Sequence, residues 1–143
     1  MDIEKRIPLW SAFSELFLDT EVSASTHTFI ARQVLASELT PELVLDILWL
    51  EVFPALCDNL RSVAGEWAGF DEQWLCERIL AVANRQVAAY SPLGLVAVNQ
   101  VIDVVEVEWL ACCAYLPTSF SKAQRPSLRN IKRSGKRRFW QWR

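Results

Sequence analysis

Histidine and glycine are nearly absent from this chain. One histidine, His27, and four glycines stand among 143 residues. Four glycines cannot supply a phosphate-cradling loop. A lone histidine has no second imidazole with which to hold a metal, and Ser25 and Thr28 beside it make no triad by proximity alone. His27 is expected as an exposed or hydrogen-bonded side chain in the first turn of a helix. Paired carboxylates are equally scarce. Glu106 and Glu108 would diverge on a helix and share a face only on a strand. The four cysteines, Cys57, Cys76, Cys112 and Cys113, have neither zinc-knuckle nor redox spacing, so they read as buried thiols of a reducing compartment. The opening MDIEKRIPLW lacks the apolar core of a signal peptide, and the apolar run 93–116 carries Asp103, Glu106 and Glu108. The expectation is a cytoplasmic protein with no transmembrane segment, no catalytic residues, no metal and no cofactor.

What the chain has is apolar mass and a lopsided charge. Apolar residues make up 52%, with seven tryptophans and seven phenylalanines, enough to build one core without disulfides. Net charge is only −2, yet nine Lys or Arg and no acid lie from Lys122 onward. Residues 1–121 therefore hold six cations against seventeen acids, a balance of −11. An acidic body of 1–121 and a basic, aromatic tail of 122–143 are the two expected units.

The periodicity reads as an all-α, compact bundle of about six helices. Pro8 suits a first helical turn, with Leu9, Phe13, Leu16 and Phe17 following at helical spacing to Asp19. A second helix starts near Ser25 or Thr26, with Phe29, Ile30, Val34 and Leu35 as its buried stripe. Thr40 caps a third, Pro41 opens it, and Pro54 kinks or ends it before a short helix over 55–63. Asp71 caps a helix over 72–89, with Trp74, Leu75, Arg78, Ile79 and Val82 on one face, and YSPLG breaks the pattern. Over 95–116, Val98, Val101, Ile102, Val105, Trp109 and Cys112 fit a helical face. The alternation VEVEW keeps a strand open there.

The stretch 51–75 mixes acids with aromatics around two glycines. Glu51, Asp58, Glu66 and Asp71 are candidate acidic contacts, and Trp67, Phe70 and Trp74 candidate aromatic anchors, although some of the rings belong to the core. Rings supply burial and carboxylates supply steering, the combination an interface for a cationic protein needs. LFLDTEV at 16–22, EVFPALCDNL at 51–60 and GEWAGFDEQWL at 65–75 resemble a family of short, uncharacterised bacterial proteins over roughly residues 8–90. More loosely, a small acidic helical protein of this kind is similar to the immunity proteins encoded beside antibacterial toxins. That resemblance implies a non-enzymatic protector. It would neutralise a cognate toxin acting in the cytoplasm, such as an effector of a type VI secretion system.

The tail RNIKRSGKRRFWQWR has three readings. Lys132, Arg133, Lys136, Arg137 and Arg138 can neutralise phosphates while Phe139, Trp140 and Trp142 stack on bases. They can meet an anionic membrane surface. They can also dock on the acidic body or stay unfolded, the expectation an acidic body favours. The expected partner is a cognate cationic protein, with a second copy of the chain or nucleic acid as the other partners.

Overall fold

The computed structural model describes residues 2–62 and 65–128, and among these every regular element is helical. Six helical runs follow one another. The first is α1 (Ile3–Ser14), which tightens into a 3-10 turn, Glu15–Phe17. The second is α2 (Ala24–Ser37). The third joins α3 (Pro41–Asp46), a π segment (Ile47–Val52), α4 (Phe53–Leu56) and a 3-10 turn (Cys57–Leu60). Then come α5 (Glu72–Ala83), α6 (Val98–Cys113) and α7 (Thr118–Lys122).

Several boundaries differ from the sequence reading, each for a local reason. The first helix begins before Pro8, because Asp2 caps it by accepting from the Lys5 amide. Pro8 then sits inside α1 on its exposed side. The carbonyl it deprives is that of Glu4, in an exposed first turn where solvent can bond it. Pro54 does not end the third run. The turn before it widens, and the Phe53 amide donates to the Leu48 carbonyl five residues back. A π turn is one recognised way to fit a proline ring into a continuing helix.

The fourth long helix stops at Ala83, six residues short of the expected 89. Its end is a Schellman turn: Gln86 N–H donates to Ala81 O at 2.8 Å and Arg85 N–H to Val82 O at 3.1 Å. Arg85 takes the left-handed conformation, φ 61°, that glycine usually fills. No glycine marked this stop in the sequence, so the periodicity overran it.

The core forms where these faces meet. From α1 and its 3-10 turn come Leu9, Trp10, Phe13, Leu16 and Phe17, and from the third run Leu48, Trp49, Val52 and Phe53. Trp109 of α6 meets Phe13 edge-to-face at 5.8 Å, and Phe17 meets Phe53 likewise at 5.9 Å. On α2 the buried stripe is Ile30, Ala31 and Val34; Phe29 and Leu35, expected in it, lie exposed on its flanks. The region 95–116 is helical, with Val101, Ile102, Val105, Trp109 and Cys112 facing the core as expected. Glu106 and Glu108 diverge. Glu106 pairs with Arg125 at 3.2 Å, whereas Glu108 Oε1 lies 2.9 Å from His27 Nε2 and ties α6 to α2.

Beyond α7 the chain remains on the body as far as it is described. Phe120 and Leu128 are buried, and the Arg125 guanidinium lies over the Trp49 ring at 5.2 Å. Lys132, Arg133, Lys136, Arg137 and Arg138 lie outside the described residues.

Candidate functional site

Two long irregular links, before α5 and before α6, hang on one short polar segment. Asn59 supports the first. Its side-chain amide donates to Phe17 O (2.7 Å) and Glu66 O (2.9 Å), and its carbonyl accepts from the Glu66 amide (2.7 Å). The Asp19 amide adds a bond to Glu66 O at 2.7 Å. Gly65 permits this approach, since a Cβ there would fall 2.2 Å from the Asn59 carbonyl oxygen.

Asp58 and Arg61 support the second link. Asp58 accepts from the Ser91 amide (2.8 Å) and from Arg61 Nη1 (2.6 Å). Arg61, buried at 7% exposure, also donates through Nε to Val96 O (2.7 Å), and its own carbonyl accepts from the Leu95 amide (2.8 Å). A Cβ at Gly94 would lie 2.5 Å from the guanidinium carbon, so the link can cross only there without a side chain. Arg78 of α5 completes the support by donating to Ala55 O at 3.0 Å. A buried guanidinium needs this many acceptors to offset its desolvation.

The first link, held in this way, presents an exposed edge. Trp67 is 69% exposed and Trp74 46%. Phe70 is half-buried and stacks on Trp74, with centroids 5.7 Å apart and planes 11° from parallel. The carboxylates beside these rings order the backbone. Glu66 Oε1 accepts from the amides of Trp67 (3.2 Å) and Ala68 (3.0 Å). Asp71 Oδ2 accepts from the Trp74 amide (2.9 Å) and caps α5. Asp19, Glu66, Asp71 and Glu72 are all exposed. The edge thus combines two accessible indoles, a stacked phenyl and four acids on a backbone fixed at both ends.

Of the seven partner-contact candidates, five lie on this edge: Glu66, Trp67, Phe70, Asp71 and Trp74. Glu51 and Asp58 do not. Glu51, on the π segment, turns its side chain to α1, ion-paired with Arg6 and accepting from Trp10 Nε1 at 2.8 Å. Burial is the largest influence on its carboxyl and raises its pKa above the ordinary 4.5, with the Trp10 bond and the Arg6 charge opposing. Asp58 belongs to the Arg61 support. The sequence reading gave both acids to the surface because composition does not show which carboxylate has an arginine or indole within reach. Nothing in the sequence marks Asn59 as a support, and for Arg61 the one signal is its i,i+3 spacing from Asp58.

The thiols are quiet. Burial pushes Cys57 and Cys112 up to about 12 and Cys113 up to about 11, so these three stay protonated near neutral pH. No disulfide joins the four cysteines. Among the described residues no cluster of His, Cys, Asp or Glu has the makings of a metal site. No helix there is long and apolar enough to cross a membrane.

Fold and edge together define an all-α domain with an acidic, aromatic surface loop. The chain belongs to the family described as Domain of unknown function (DUF7079), whose model matches residues 4–114. No curated protein and no solved structure matches it.

Proposed function

We propose that the protein is a non-enzymatic binding protein whose Glu66–Trp74 edge receives a cationic protein surface, and that this partner is a bacterial toxin which it neutralises. The observation that carries the reading is the juxtaposition of Trp67 and Trp74, 69% and 46% exposed, with the carboxylates of Glu66, Asp71 and Glu72. Large indoles left in water are costly unless a partner covers them, and aromatic anchors dominate the energetics of interfaces. The surrounding acids steer a cationic face from a distance and hold its arginines and lysines at the rim. Anchoring by Asn59 and by the Asp71 cap lowers the entropy lost on association.

The test is rescue from toxicity. Co-production with a toxin gene found beside this one is expected to restore growth, and Trp67→Ala with Glu72→Lys is expected to abolish the rescue. Neither side chain makes a hydrogen bond that holds the fold, so the circular dichroism spectrum should remain that of the parent, and melting should fall only slightly, through the reversed charge in the first turn of α5. Removing residues 129–143 should leave rescue intact. Retention of nucleic acid in place of a protein, lost on that truncation, would overturn the reading and favour a regulator acting through the tail. Rescue that survives Trp67→Ala with Glu72→Lys would move the interface elsewhere.

A further inference from the structure

The last described stretch, 118–128, lies across the body as a strap with few ties. Phe120 and Leu128 are buried, and most residues between them are exposed. Among the described residues its hydrogen bonds stay local: Ser121 Oγ donates to Thr118 O, and the Ala123 amide to Ser119 O. Arg125 carries the remaining attachment. Its guanidinium lies 5.2 Å from the Trp49 ring centroid, and its Nε lies 3.2 Å from Glu106 Oε2. That ion pair is 34% and 44% exposed, so solvent screening leaves it weak. Two apolar anchors and one such pair must offset the entropy of ordering the whole strap.

The strap also leaves its groove incompletely used. Trp49 is buried, and its Nε1 has no hydrogen-bond partner among the described residues, a donor that the present cover does not satisfy. A cleft of about 520 Å³ stays open between residues 125–128 and the first turns of α6, with Asn99, Ile102 and Asp103 on its helix wall. Among the described residues Asp103 makes no ion pair. Asp103 and Glu106 stand one turn apart on α6, so the strap brings a cation to only one of two neighbouring carboxylates.

We infer that the groove of Trp49, Asp103 and Glu106 is a docking site for an extended, arginine-bearing segment of a partner protein, and that the strap is its built-in competitor. Arg125 shows the chemistry the groove accepts: a guanidinium over an indole, paired with a carboxylate beside it. Phe120 and Leu128 mark where the apolar residues of such a segment seat. A partner segment with a second cation at the cleft pairs Asp103 as well and displaces the strap. The inference rests neither on the Glu66–Trp74 edge nor on the toxin reading.

The probe is a synthetic peptide of residues 117–128, labelled for fluorescence anisotropy and titrated into the full chain. The parent, whose own strap competes, should bind it weakly. Arg125→Glu in the protein sets like charges together at Glu106 and opens the strap, so the peptide should bind about tenfold more tightly. The same reversal in the peptide should abolish binding. Ser127→Arg in the peptide, which sets a second cation in the cleft, should tighten binding, and Asp103→Asn in the protein should cancel that gain. Chymotrypsin reads the strap directly: cleavage after Phe120 should be slow in the parent, fast in Arg125→Glu and slow again with peptide bound, with an unchanged circular dichroism spectrum. Failure of the peptide to bind Arg125→Glu overturns the inference, as does equal affinity for both proteins. Binding gained only on removal of residues 129–143 overturns it too, and assigns the groove to that segment.

Discussion

The two halves of the stretch 51–74 both carry acids beside aromatic rings and meet opposite fates. In the first half the polar groups turn inward: Glu51 to Arg6 and Trp10, Asp58 to Arg61 and Ser91, Asn59 to the backbone at 17 and 66. In the second half Glu66 and Asp71 bond only neighbouring amides and stay exposed, with Trp67 and Trp74 in solvent beside them. A carboxylate is drawn inward when the packing leaves a cation or an indole N–H in reach. Otherwise it organises its own turn and remains available to a partner. The inward half fixes the outward one, because Asn59 holds the backbone of Glu66.

The comparison is most easily broken at Arg61. Arg61→Ala removes one member of a largely buried pair, frees the Val96 carbonyl and lets go of the link before α6. A loss of about 3 kcal/mol is expected, the low end for a buried pair since Asp58 keeps some solvent. Chemical denaturation would measure it. A loss below about 0.5 kcal/mol, the level of an ordinary surface change, would mean that the hub is dispensable.

Glu51 sharpens the comparison through pH. Its carboxyl binds a proton more readily in the folded chain than in the unfolded one, because burial raises its pKa. Between the ordinary value of 4.5 and the raised folded value, the native state therefore carries more protons, and stability falls as pH rises through that window. Glu15, also raised by burial, acts in the same direction. Glu51→Gln should flatten the dependence measured by denaturation at a series of pH values between neutral and 4.5. An unchanged slope would assign the effect to Glu15 or to other groups.

The smallest effect belongs to the outward half. Asp71→Ala removes the α5 cap and should cost about 1 kcal/mol in thermal or chemical unfolding, as such caps do. A cost as large as that of Arg61→Ala would erase the distinction between the two halves.

Much of the helical framework was legible in the sequence because capping is local. Thr40, Pro41 and Asp71 act where the letters place them. The core face of α6 was legible too, although its β-branched run also suited a strand. The end of α5 was not, since an arginine took the left-handed position that a glycine would have announced. Nor was the division of the acids, which depends on Arg6, Trp10 and Arg61 arriving from other parts of the chain. Five of the seven nominated residues fall on one edge because they come from one continuous link. The two that do not were claimed by groups close in space, not in composition.

The wide turn before Pro54 has a geometric consequence for everything that follows it. Each residue of an α-helix advances the azimuth by about 100°. A turn bonded five residues back therefore resets the phase of the helix downstream. Phe53 reaches Phe17 and Trp49 with its ring from that reset angle. Asp58, Asn59 and Arg61 inherit the same rotation. The π segment thus works as a phase shifter in the middle of the chain. Shortening it by one residue would leave the sequence almost unchanged and aim the three supporting side chains away from both links they carry.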